Sequence, residues 1–155
     1  MFPHHECEIA QAEAATGLPF ARYWLHNGML MISGEEMHKS AGNFVTLAQA
    51  LDQWEPMVIR TFILQGHYRS PLDLTQDALQ AAQRGWTRLM EALKAVRRRL
   101  PTAPQDEVTS ELAARLEVAR HAFEESMNDD LNTAGALAAM FELTRDVNIA
   151  LNGAR

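Results

Sequence analysis

Thr75-Gln76-Asp77-Ala78-Leu79-Gln80-Ala81-Ala82-Gln83-Arg84-Gly85-Trp86-Thr87-Arg88-Leu89-Met90-Glu91-Ala92-Leu93-Lys94-Ala95-Val96-Arg97-Arg98-Arg99 reads as one long helix with Thr75 as its N-cap. The segments around it are helical too. Pro101 to Pro104 is the clearest linker, and a helix from about Glu107 to Met127 follows. The turn Asn128-Asp129-Asp130 breaks that pattern, and Thr133 is expected to cap a last helix through Leu151. On the N-terminal side, Pro56 fits the first turn of a helix whose Val58, Ile59, Phe62 and Ile63 recur at helical spacing. Gly66 suits its C-terminal cap, and Thr46 with Gln49 makes a capping box for a shorter helix.

The first 45 residues differ. Residues 4 to 16 read as a helix, with Pro3 at its start, alanines at 10, 12, 14 and 15, and Gly17 and Pro19 at its end. Tyr23 to Ile32 reads as a short strand broken at Asn27-Gly28. Ser33 to Asn43, polar and carrying Gly34 and Gly42, reads as a mobile loop. The fold class is therefore mostly α: a small βα piece in front of an antiparallel helical bundle. One strand cannot make a sheet, so its edge is expected to need a missing N-terminal partner or a second copy of the chain.

At 155 residues the chain suits one domain, or a small core with an appendage. No run of about 18 apolar residues appears, so no membrane span is expected. The N-terminus lacks the basic and apolar regions of a signal peptide. Cys7 is the only cysteine, so no internal disulfide forms and a reducing cytoplasm is the expected location. The net charge of −6 argues against bulk affinity for nucleic acid. The charge is uneven, however. Arg84, Arg88, Lys94, Arg97, Arg98 and Arg99 crowd one stretch, whereas Asp106 to Asp130 is rich in acids. Two readings stay open: two helices paired through opposite charges, or a basic strip for an RNA backbone.

Two sets of residues carry chemistry. His4, Cys7 and Glu8 lie at i, i+3 and i+4 and share one helix face, and all three are zinc-ligand types. They make at most part of a tetrahedral site. The loop Gly34-Glu35-Glu36-Met37-His38-Lys39-Ser40-Ala41-Gly42-Asn43 places one lysine among small residues, an arrangement that can close over a phosphate.

These stretches carry a specific resemblance. Phe2-Pro3-His4-His5-Glu6-Cys7-Glu8-Ile9-Ala10-Gln11 resembles the F-P-H-H-E-N-E-I-A-Q stretch of cysteinyl-tRNA synthetases. Tyr23-Trp24-Leu25-His26-Asn27-Gly28 is similar to the strand before their signature loop, and the loop resembles the class I signature K-M-S-K-S. His67-Tyr68-Arg69-Ser70-Pro71-Leu72 and Met127-Asn128-Asp129-Asp130-Leu131-Asn132-Thr133 are similar to further family stretches, all in family order. The cysteine ligases of mycothiol synthesis share some of these motifs, but the match after the loop favours the tRNA synthetases.

The resemblance implies that residues 1–45 are the remnant of a Rossmann-type catalytic domain, 46–75 a stem-contact region and 76–155 a helical bundle. It implies a role for Lys39 on ATP phosphates, and for His4 and Glu8 as two of four zinc ligands. The other two family ligands are cysteines from segments this sequence does not contain; Cys7 stands where the family has asparagine and is not a family ligand, which leaves its use as a makeshift third an open alternative. The H-I-G-H motif is missing as well. Glu36 stands where the family has the first signature lysine, and His38 where it has serine. At about 6 Å and an effective dielectric of about 20, each unit charge near a phosphate is worth roughly 3 kcal/mol, so the reversal opposes nucleotide chemistry. ATP and zinc are thus implied as cofactors, neither expected to be held tightly. The chain reads as a truncated synthetase-like protein. It is expected to be inactive alone, with tRNA as a partner through residues 46–75 and the strip Arg84 to Arg99. The alternatives are an enzyme half that needs a separate N-terminal half, or a protein-interaction module; a homodimer is a further expectation.

Overall fold

Helix-forming sequence from residue 46 onward gives helices that pack on one another, and this packing holds the core. The computed structural model describes residues 2–38, 42–103 and 110–153, with the backbone alone at Ser110. In chain order the elements are α1 (His4–Thr16), β1 (Leu30–Ile32), β2 (Glu35–Glu36), α2 (Leu47–Gln53), α3 (Pro56–Leu64), β3 (Leu72–Asp73), α4 (Gln76–Arg99), α5 (Ser110–Asn128) and α6 (Thr133–Gly153). A 3₁₀ turn, Leu100–Thr102, ends α4.

Val58 and Phe62 of α3 bury against Leu79 and Ala82 of α4, with Trp54, Leu72, Leu74 and Trp86 packed around them. Spacings of three and four residues put these side chains on facing stripes. The α4 helix then passes along α6, where Gly85 lets it approach: a Cβ there would lie 3.1 Å from Phe141 Cζ. Among the described residues the hydroxyls of Thr61 and Thr144 are buried. Each donates to the carbonyl four residues back, that of Met57 at 2.7 Å and Met140 at 2.8 Å, so neither is left unpaired.

The capping box forms as expected: Thr46 Oγ1 accepts from Gln49 N–H at 3.2 Å, and Gln49 Oε1 accepts from Thr46 N–H at 2.8 Å. Thr75 caps α4 through Ala78 N–H, and Gly17 closes α1 in the left-handed conformation.

Several expectations are corrected. The strand at Tyr23 to Ile32 is a ladder only over Leu30–Ile32. It is not alone: β1 pairs antiparallel with β2 and parallel with β3, giving a sheet of order β2-β1-β3. The argument for a second copy as strand partner loses its premise, because the chain supplies both neighbours. Gly28 makes this possible. A Cβ there would collide with the Ser70 carbonyl, and Gly28 N–H donates to Tyr68 O at 2.6 Å. The first part of the expected loop is instead a two-residue hairpin turn, with Ser33 at φ 53° and Gly34 at φ 85° joining the paired Ile32 and Glu35.

At the start of α6, Asn132 rather than Thr133 is the cap, since its Oδ1 accepts from Gly135 N–H at 2.9 Å. α3 ends at Leu64 with Gln65 as its cap, and Gly66 follows without a left-handed turn. Within 107–127, residues 107–109 lie outside the described residues, as does Pro104 of the expected linker.

Among the described residues no ion pair joins Arg84, Lys94, Arg97 or Arg98 of α4 to the acids of α5, and residues 104–109 of the acidic stretch lie outside them. α5 packs chiefly on α6. Its acids are met largely by its own arginines: Arg115 grips Glu111 at 2.9 Å and Asp146 of α6 at 2.7 Å, while Arg120 grips Glu117 at 2.7 Å and Glu124 at 2.8 Å.

Candidate functional site

The signature-like loop rises from the β1–β2 hairpin. Its base is fixed from both sides. Gly34 N–H donates to Asp73 Oδ1 at 3.2 Å, and Met37 N–H to Leu30 O at 3.2 Å. Across the loop, Asn43 Oδ1 accepts from His38 N–H at 3.0 Å, and its Nδ2 donates to Glu36 O at 3.1 Å. Glu36 Oε2 and His38 Nε2 stand 3.4 Å apart. The two residues that depart from the signature therefore face each other at the loop root. Lys39, the expected phosphate contact, lies outside the described residues, as do Ser40 and Ala41.

His4, Cys7 and Glu8 are exposed on α1, a helix with no buried residue. His5 turns away from them and stacks on Trp24, at 5.2 Å between ring centroids, and on His26, at 5.0 Å. Among the described residues no group of three or more histidine, cysteine or carboxylate side chains is arranged to hold a metal ion. His4 and Glu8 are two donors of the right kind, but the described residues do not complete a tetrahedral site around them.

The fold brings together two stretches that the sequence reading treated separately. Tyr68 donates its hydroxyl to Asp130 Oδ1 at 2.7 Å, Arg69 binds both Asp130 oxygens, and His67 Nε2 lies 3.8 Å from Oδ2. Bonds from Arg69 and then Tyr68 hold the Asp130 carboxyl down at about 2, and the same bond to Asp130 raises the Tyr68 phenol. Beside this cluster lies a mostly apolar cleft of about 380 Å³, reached by Asn27, Met29, Ile63, His67, Tyr68 and Leu131. The residues of the Asp130 cluster were all in quoted motifs. What the sequence did not reveal was that positions about 60 apart meet.

The basic residues of α4 have a different setting. Arg84, Lys94, Arg97 and Arg98 make no ion pair among the described residues. Arg88 lies over the Phe141 ring, with Cζ 5.9 Å from its centroid. A groove of about 460 Å³ separates Arg88, Glu91, Lys94 and Arg98 from Asn148 of α6.

Comparison with known proteins agrees with this layout. Residues 1–84, from α1 into the first turns of α4, match the family model described as the tRNA synthetases class I (C) catalytic domain. Residues 122–155 match the DALR domain. The cysteine–tRNA ligase of Syntrophotalea carbinolica is 48% identical over 148 residues, covering 96% of this chain and 30% of that protein. The cysteine–tRNA ligase of Deinococcus radiodurans is 49% identical over 154 residues, covering 97% and 30%. That of Thermus thermophilus is 48% identical over 154 residues, covering 99% and 32%. The chain thus spans about 30% of the length of the curated relatives it matches, taking in the C-terminal part of the catalytic domain and the match to the DALR domain, and it belongs to the cysteine–tRNA ligase family of class I tRNA synthetases.

Proposed function

We propose that this chain engages tRNA but does not by itself activate cysteine with ATP. The observation that carries the reading is the Glu36–His38 pair, 3.4 Å apart at the root of the signature-like loop. A carboxylate there opposes an incoming triphosphate, and its histidine neighbour offsets only part of that charge when protonated. The 155 residues also hold no H-I-G-H motif and a single cysteine, so Lys39 would act on ATP phosphates without the partner groups the family uses. On this reading residues 1–45 are a catalytic-domain remnant, 46–75 a stem-contact region and 76–155 a helical bundle. Zinc is bound weakly at His4 and Glu8, and the protein works in the cytoplasm. The tRNA is held by residues 46–75 together with the basic strip of α4. The match to the DALR domain supports a tRNA-facing role for the bundle.

The test is cysteine-dependent ATP–pyrophosphate exchange by the purified chain. Exchange no greater than that of a Lys39→Ala variant is expected. Exchange clearly above that variant would overturn the reading and favour a catalytically competent enzyme part. Restored exchange on adding a separate polypeptide bearing H-I-G-H and the two missing cysteines would instead favour an enzyme half.

A further inference from the structure

Helices α4, α6 and α5 lie side by side with α6 in the middle, and α3 covers one side of this layer through Leu79 and Ala82. The opposite side is exposed and carries three stripes. Arg84, Arg88, Glu91, Ala95 and Arg98 recur along α4 at i, i+4, i+7, i+11 and i+14, and Glu111, Ala114, Val118, His121 and Glu125 along α5 at i, i+3, i+7, i+10 and i+14. Between them run Ala138, Glu142, Arg145 and Ile149 of α6, all exposed. The stripes look out of one side: Glu111, Ala114 and Val118 share a groove with Ala138 and Glu142, while Arg88, Glu91 and Arg98 share another with Asn148, next to Ile149. Charge changes sign across this face. The α4 stripe, with Lys94 at its border, has Arg84, Arg88 and Arg98 against Glu91, whereas α5 has Glu111, Glu117, Glu124 and Glu125 against Arg115 and Arg120. A face that is basic along one edge and acidic along the other is complementary to itself after a half-turn.

We propose that this face pairs with the same face of a second copy of the chain about a two-fold axis over α6, so that α4 of each copy lies on α5 of the other. The α4 and α5 stripes are both about 21 Å long. Within one chain α5 runs against α4: Gly85 of α4 meets Phe141 and the groove beyond it reaches Asn148, whereas on α5 Arg115 meets Asp146 and the earlier Gly135 lies by Ser126. The half-turn therefore lays α4 of the second copy parallel to α5. With the stripe ends level, Arg84 faces Glu111 and Arg98 faces Glu125 of the other copy, and Glu91 falls between its Arg115 and His121. Arg88 stays over the Phe141 ring of its own chain. At the axis α6 crosses its own copy, and Glu142 meets Arg145 reciprocally; neither makes an ion pair among the described residues. Val118 and Ile149, 69% and 59% exposed, are the apolar groups that the pairing covers. Three helices about 9 Å apart over about 21 Å present roughly 570 Å² per copy. Twice that is at the low end for a specific interface, so the dimer is weak and sensitive to salt. It covers the α4 strip assigned above to tRNA, and the two occupants exclude one another.

Sedimentation equilibrium of the full chain over about 1–300 μM, without RNA, tests this independently of the tRNA reading. A monomer–dimer equilibrium that weakens as salt rises is expected. Arg84→Glu/Arg88→Glu/Arg98→Glu and Glu111→Lys/Glu125→Lys should each raise the dissociation constant roughly tenfold or more. Mixed one to one, the two variants should pair again, because both α4–α5 contacts of the mixed dimer regain opposite charges. Pairing on mixing also shows that both variants are folded. Should either lose its helical circular dichroism, Glu142→Arg, which sets like charges together at the axis, must weaken the dimer in its place. A chain that stays monomeric across the range, a dimer indifferent to these charge changes, or folded variants that do not pair on mixing overturns the proposal.

Discussion

The guanidinium of Arg69 lies against both carboxylate oxygens of Asp130, with Nε 2.6 Å from Oδ2 and Nη2 3.2 Å from Oδ1. This pair ties the segment between α3 and β3 to the turn between α5 and α6. Asp130 sits at φ 51° and Leu131 at φ 56°, left-handed conformations that cost about 1 kcal/mol or more each for residues other than glycine. Bonds from Tyr68 and Arg69 hold the turn in that shape, and Asn132 then starts α6. The same segment donates Leu72 N–H to Met29 O and so carries β3 onto β1. The sheet and the last two helices are thus fixed to one another through a few side chains.

Because the folded Asp130 carboxyl is depressed to about 2, its contribution is fully present above its unfolded value of about 4 and is lost as pH falls through about 2. A carbon-detected NMR titration of Asp130 should show a midpoint near 2. Arg69→Leu should return it toward the ordinary carboxylate range. A wild-type midpoint near 4 would show that the pair does not hold in solution.

Glu36→Lys/His38→Ser restores the signature-like charge at the loop root. Removing a carboxylate and adding a cation changes the local field by two charges. In an open, screened loop this is worth about 1 kcal/mol, and so roughly fivefold in affinity. Calorimetry with inorganic tripolyphosphate should show that gain, and Lys39→Ala in the same background should remove it. Equal affinities before and after the double substitution would mean that Glu36 does not face the phosphate.

With two family ligand positions, both exposed, on a helix without buried residues, zinc should not survive dialysis against a mild chelator. Metal analysis returning one zinc per chain would contradict this. Loss of that zinc in Cys7→Ser would then identify Cys7 as a third donor.

Helices were legible because their signals are local. The Thr46–Gln49 box, Pro56 at the start of α3 and Thr75 at the start of α4 act within one turn, and the structure places each as read. The sheet was not legible. β3 is two residues long, and its pairing depends on the approach of Gly28 to Ser70, about 40 positions away, which no periodicity encodes. Charge composition was less informative than spacing: among the described residues, acids of α5 are met by arginines three and four residues away in the same helix. Of the site residues, His4 and Glu8 fall on one helix as expected. The Asp130 cluster needed the fold to show it.

Gly85 tests the packing of α4 on α6. Alanine there gains about 1 kcal/mol in helix propensity, and its Cβ would lie 3.1 Å from Phe141 Cζ, the far end of a side chain that can shift slightly. Thermal denaturation should find Gly85→Ala neutral or slightly stabilising. Gly85→Leu should be destabilising by about 1–3 kcal/mol, because the larger side chain must displace the ring and the Arg88 above it. A stable leucine variant would mean that the two helices are not in contact there.

The front helix should open long before the rest. None of the α1 side chains is buried; His5 stacks on Trp24 and His26, and Glu13 Oε1 accepts from Phe20 N–H at 3.2 Å. A helix of 13 residues is marginal on its own in water, and exposed ring stacking adds about 1 kcal/mol at most. By contrast, α3 and α4 share Val58, Phe62, Leu79 and Ala82, so their amides open only when that core is lost. Hydrogen exchange followed by mass spectrometry should therefore show peptides from 4–16 exchanging early, with peptides from 56–64 and 76–92 exchanging last and together. His5→Ala should speed exchange in 4–16 while leaving α3 and α4 unchanged. Equal protection of α1 and α4 in the wild-type chain would show that the front helix is covered, and a monomer–dimer comparison across protein concentrations would then tell whether a second copy covers it.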